Sequence, residues 1–120
     1  MISMLTKVDH IDLRVSDLEE YVALFTKMGL EIRRRTEAPR SSVEMALPGE
    51  DQVVFEIRPA GQDGFTGVHH IAFRQSAPED VEDLKKHGIT FLTEHYTIAA
   101  TGRTVSSFQD SDGHTWQLTD

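Results

Sequence analysis

The chain states one phrase twice. "KVDHIDLRV", residues 7–15, and "GVHHIAFRQ", residues 67–75, align His10 with His70, and Val8/Val68, Ile11/Ile71, Leu13/Phe73 and Arg14/Arg74 match around them. The offset is sixty residues, half of the 120-residue chain. Only two copies are present, so the repeat signals a duplicated supersecondary unit and not a solenoid.

The offset carries forward. "SDLEEYVALFTKMGL" follows the first phrase. Ser16 with Glu19 reads as a capping box. Leu18, Val22 and Phe25, with Tyr21, Leu24 and Met28, make an apolar stripe at helical spacing. Gly29 closes the helix. "SAPEDVEDLKKHGI" follows the second phrase, with Pro78 suited to a first helical turn, Val81 and Leu84 facing inward, and Gly88 as the stop. Each half then turns strand-like. The first reads "EIRRRTE", "SSVEMAL", a turn at "PGED" and "QVVFEIR". The second reads "ITFLTEH", "RTVSSFQ", a turn at "DSDG" and "HTWQLT". The turn residues suit hairpins. Glycine-rich "AGQDGFTG", residues 60–67, reads as a linker. The plan is therefore βαβββ written twice: a first module over about residues 5–59, the linker, and a second module over about residues 68–120.

Strand alternation assigns faces. Ile11, Leu13 and Val15 should pack on the helix, leaving Val8, His10, Asp12 and Arg14 opposite. His70 and Arg74 fall on the equivalent face of the second copy, and His69 is expected to point the other way, with Asp9 as its equivalent. In the last strand of each half, Val53, Phe55 and Ile57, or Trp116 and Leu118, form the apolar side. Glu56 and Arg58 then oppose it in one half, and Gln117 in the other. Val43, Met45 and Leu47 look core-facing, which turns Glu44 to the polar side. Two imidazoles, a carboxylate and a carboxamide on the non-helical faces form a donor set for a first-row divalent metal.

At these residues the chain resembles the vicinal oxygen chelate superfamily, which includes glyoxalase I, extradiol dioxygenases, methylmalonyl-CoA epimerase, and fosfomycin and bleomycin resistance proteins. The resemblance runs from "VDHIDLRVSDLE" through "GVHHIAF" to "FQDSDGHTWQLTD". It implies an α+β fold in which two tandem βαβββ modules form a cup-shaped mixed sheet. It also implies metal ligands at His10, Glu56, His70 and Gln117, the ion being zinc, nickel, manganese or iron. Ser111 replaces the family's usual proline, which concerns only the turn. Gln117 replaces its usual glutamate, which weakens one ligand and removes a possible base. The resemblance leaves open a site within one chain or shared across a homodimer, which members of this length commonly form.

The expected activity is that of a metal-dependent lyase or isomerase acting on a small oxygenated substrate, with an enolate or oxyanion stabilised at the metal. Glu56 is the first choice as catalytic base and Glu44 the second. Arg14, Arg58 and Arg74 share the ligands' face, where they hold an anionic substrate or pair with Asp12 and neighbouring acids. The rival readings are a metal-free sequestering protein of the bleomycin-resistance type and an extradiol-type dioxygenase. Intact His10, Glu56 and His70 oppose the first. The missing final-strand carboxylate opposes the second. His114 is expected in solvent and His87 at a helix C-terminus, and "RRR" at 33–35 alternates sides.

A net charge of −8 argues against nucleic-acid and anionic-membrane partners. The absence of cysteine excludes disulfides and thiolate metal sites. With no signal-type apolar run, a cytoplasmic location is expected.

Overall fold

A computed structural model describes residues 5–120. Eight strands and two helices follow one another as β1 (Leu5–Val15), α1 (Leu18–Lys27), β2 (Glu31–Thr36), β3 (Ser42–Ala46), β4 (Val54–Pro59), β5 (Gly67–Gln75), α2 (Asp80–Lys86), β6 (Thr93–Thr97), β7 (Thr104–Gln109) and β8 (Thr115–Thr119). The order is βαβββ twice, an α+β architecture. Packing divides the chain into a first unit, His10–His69, and a second unit that joins residues 5–9 to His70–Asp120. β1 and β5 thus each begin in one unit and end in the other.

In the first unit the strands run β2-β3-β4-β1. β1 and β4 are parallel, as a crossover through α1 requires, and β4, β3 and β2 are antiparallel. Val15, Val22, Leu30, Val43, Met45 and Ile57 form the core, with Leu13, Leu18, Tyr21, Phe25 and Phe55 packed against it. Phe25 meets Phe55 edge-on at 5.7 Å between ring centroids. The N-cap of α1 differs from the expected capping box. Asp17 is the cap, its side chain accepting from the Glu20 amide at 3.1 Å. The helix starts one residue later than Ser16 would set it. The stripe narrows too: Leu24 and Met28 are exposed, because the core meets only the Leu18, Val22 and Phe25 side. Leu47 is also exposed, since β3 has ended at Ala46. Gly29 ends α1 with φ of +102°, a conformation that disfavours a side chain.

In the second unit the order is β5-β8-β7-β6. β5 and β8 are parallel, while β8, β7 and β6 are antiparallel. Ala72, Val81, Val105 and Leu118 are buried, and Phe73 stacks on Trp116 at 5.9 Å. The strand expected over 89–95 begins only at Thr93. The Ile89 amide closes α2 on the Leu84 carbonyl, and the Phe91 ring is held edge-on against Phe108. Pro78 lies in the turn ahead of α2, whose N-cap is Glu79. Among the described residues, no helix is long and apolar enough to cross a membrane.

Candidate metal and substrate site

β1 and β4 lie side by side with Asp12 opposite Glu56, Arg14 opposite Arg58 and His10 opposite Val54. That register brings His10 and Glu56 to neighbouring places on one face. Each is only 2% exposed. A ring nitrogen of His10 and a carboxylate oxygen of Glu56 lie within 4.8 Å of each other. β3 adds Glu44, in register with Glu56 and also buried. Buried ionisable groups in this density need partners. Arg34 Nε donates to Glu44 Oε2 at 3.0 Å, and Arg40 Nη2 donates to Glu56 Oε2 at 3.4 Å.

The second unit repeats the placement. In β5 and β8, Ala72 is opposite Gln117 and His70 opposite Thr115. Histidine and oxygen donor are again offset by two residues across a parallel pair, as His10 and Glu56 are. Gln117 is buried like Glu56, and His70 is half-buried. The donor types and their burial fit a divalent ion of the zinc, nickel, manganese or iron group, which takes imidazole and carboxylate nitrogen and oxygen.

The arginines divide. Arg14 Nε donates to Asp12 Oδ1 at 2.7 Å. Arg74 donates from Nη2 and Nε to Asp9 Oδ1 at 2.8 and 3.1 Å. The Nε of Arg58 is buried and meets no acceptor among the described residues. Loss of hydration first, and then the Arg40 and Arg14 cations, lower the Arg58 pKa from its ordinary value against the pull of Asp12 and Glu56.

His69 departs from the simple alternation. Asp9 and His10 are consecutive and both buried, so β1 is covered on both faces and burial does not separate its two sides. In β5 the His69 ring stands within 4.8 Å of the Asp12 carboxylate and edge-on to Phe65. It therefore belongs to the polar side. Partial loss of hydration and the Arg14 cation hold its pKa below the usual histidine range, with Asp12 opposing. The other singled-out residues sit as expected. His114 is exposed, and His87 is the C-cap of α2, with Nδ1 2.7 Å from the Asp83 carbonyl. Arg33, Arg34 and Arg35 reach different partners: the Leu47 and Gly49 carbonyls, Glu44, and Glu19.

Two residues of this region carried no sequence signal. Arg40 lies in the aperiodic β2–β3 loop, and nothing in "EAPRSS" connects it with Glu56. Arg34 becomes legible as Glu44's partner only once the β2–β3 register, which pairs the two, is known.

The profile of the glyoxalase/bleomycin resistance protein/dioxygenase superfamily matches residues 7–118, and the chain belongs to that superfamily. Within it, the fold is that of solved methylmalonyl-CoA epimerases. A Streptomyces coelicolor methylmalonyl-CoA epimerase variant in complex with 2-nitronate-propionyl-CoA superposes with a TM-score of 0.79 at 20% identity, covering 96% of this chain and 94% of that one. The Mycobacterium tuberculosis methylmalonyl-CoA epimerase gives 0.80 at 17% identity, covering 99% and 90%. A hypothetical protein of Bacillus halodurans gives 0.76 at 16%, covering 94% and 92%. No curated protein matches the chain at a significant level.

Proposed function

We propose that this chain is a metal-dependent lyase or isomerase of the glyoxalase type, and that His10, Glu56, His70 and Gln117 hold its divalent ion. The observation that carries this reading is the buried His10–Glu56 pair, whose register offset recurs in His70 and Gln117. A hydrophobic isostere would satisfy a purely structural core at lower cost than a buried imidazole and carboxylate. When bound, the ion supplies Lewis acidity that lowers the cost of removing a proton beside a carbonyl.

The chain's own groups then divide the work. Glu56 is the ligand and the first choice as base. Glu44, its neighbour in register, is the second. The burial of both carboxylates keeps water from competing for the proton. Arg14, Arg58 and Arg74 are the proposed substrate arginines, and among the described residues the Arg58 Nε has no acceptor. The epimerase likeness supports an isomerase acting on a carbonyl compound, acyl-CoA thioesters included. A homodimer belongs to the same reading. In the second unit β6 is the terminal strand and all five of its residues are exposed, with exposed Leu92 beside it. Sedimentation equilibrium at twice the chain mass would support the dimer, and the mass of one chain would remove it.

The deciding test is elemental analysis of the purified protein beside a His10→Ala, His70→Ala double variant. The expected result is about one metal per chain, lost in the variant, followed by turnover in a screen of α-hydroxy-carbonyl and acyl-CoA compounds. No metal in either protein, even after incubation with zinc, nickel, manganese and iron, would overturn the reading.

A further inference from the structure

We infer that Arg40 and Arg58 form a carboxylate-binding subsite beside Glu56, and that the substrate carries a carboxylate distinct from the atoms that react. The statement about substrate rests on the enzyme reading above. The anion site itself stands on the arginines alone.

Beside the self-balancing Arg34–Glu44 pair, three further cations and two further carboxylates meet on this face of the first unit. Arg14 and Arg58 are directly opposite across β1 and β4, and so are Asp12 and Glu56. Arg40 enters from the loop before β3 and reaches Glu56 Oε2. Arg14 is committed to Asp12 at 2.7 Å, whereas the Arg40–Glu56 contact is long, at 3.4 Å. Against Asp12 and Glu56, the three guanidinium groups leave one positive charge over.

Two donors are also left over. Arg40 Nη1 and Arg58 Nε are buried, and neither has a hydrogen-bond partner among the described residues. A buried guanidinium N–H without an acceptor is costly, and two such atoms from adjoining arginines are uncommon unless a ligand completes them. The missing partner has to accept from both nitrogens, and the leftover positive charge favours an anion. A planar carboxylate offers one oxygen to each nitrogen and supplies the single charge that balances the group. In the metal-free protein, phosphate, with a charge near −2 at neutral pH, would overshoot that balance. The subsite adjoins Glu56, so a substrate held there presents its carbonyl end toward His10 and Glu56.

The test uses protein stripped of metal with a chelator, so that its outcome is independent of metal content and activity. The arginine Nε–H signals are followed by nuclear magnetic resonance as acetate is added, with inorganic phosphate in a parallel titration. The expected result is a saturable shift of the Arg58 signal. Affinity should fall about tenfold or more in Arg40→Ala, read on the Arg58 signal, and in Arg58→Lys, read on the Arg40 Nε–H signal, and stay unchanged in Lys27→Ala, an exposed helix position. The Arg58→Lys variant keeps charge and bulk, so a loss there reports the guanidinium and not misfolding. No saturable shift by about 100 mM acetate, or equal affinity in wild type and both arginine variants, would overturn the subsite. Tighter binding of phosphate than of acetate would overturn its assignment to a carboxylate. A protein that holds metal but not acetate would lose this inference and keep the enzyme reading, and one that holds acetate but no metal would do the reverse.

Discussion

Residues in this chain act through where the backbone puts them. Met45, fully buried in the first unit between β strands and α1, carries no charge and no motif, yet the core is built around it. Met45→Ala should lower unfolding free energy by about 2–5 kcal/mol in urea titration, through lost transfer energy and the cavity left behind. Asp110 shows the electrostatic side. Its carboxylate accepts from Trp116 Nε1 at 3.0 Å and from the His114 and Asp112 amides. The Trp116 hydrogen bond is the largest cause holding its pKa below the usual carboxylate range. A depressed folded pKa means that the stabilisation is complete above the unfolded value, about 3.9, and is lost as pH falls through the folded one. Trp116 is the chain's single tryptophan, so its fluorescence reports the event directly. Emission should titrate with a midpoint below the usual aspartate range, and Asp110→Asn should abolish the titration. A midpoint at or above the usual range would contradict the assignment.

At the scale of elements, the repeat predicts which segments form but not where they end. α1 is set by Asp17 and not by Ser16, because the cap is chosen by which carboxyl or hydroxyl reaches a free amide at the first turn. Asp17→Ala should cost about 1 kcal/mol in chemical denaturation, and Ser16→Ala should stay within about 0.5 kcal/mol. The opposite ranking would restore the capping box. β6 shows the same limit. Isoleucine, phenylalanine and leucine in "ITFLTEH" favour a strand, but Ile89 is used to close α2 and Phe91 is held against Phe108, so the first bond to β7 comes only from the Leu92 amide and the strand starts at Thr93. Local preference is a weak prior, and a tertiary contact overrides it.

For the whole molecule, the proposed ion ties stability to the site. A ligand that binds only the native state stabilises by mass action, about 2.7 kcal/mol at a hundredfold excess over Kd. Metal addition to stripped protein should therefore raise Tm in a concentration-dependent way, and His10→Ala should make Tm indifferent to metal. A wild-type Tm that ignores every metal tried, or a His10→Ala protein with an unchanged response, would count against these ligands. The net charge of −8 belongs to this scale too, since it acts through the summed field on partners and not on the fold.

The duplicated βαβββ plan can be read without any coordinates, because hydrophobic period and turn chemistry are local and are written twice. The sequence also put His10, Glu56, His70 and Gln117 at equivalent places, because strand alternation converts spacing into a face. Apart from Arg14 and Asp12, which share a strand face, the charged partners emerge only in three dimensions. Arg40 reaches Glu56 from an aperiodic loop, Arg34 finds Glu44 through a hairpin register, Arg74 turns to Asp9, and His69 comes round to Asp12. None of these pairings repeats at any period in the chain. Each depends on where a long side chain ends, and that is fixed by register, loop path and burial.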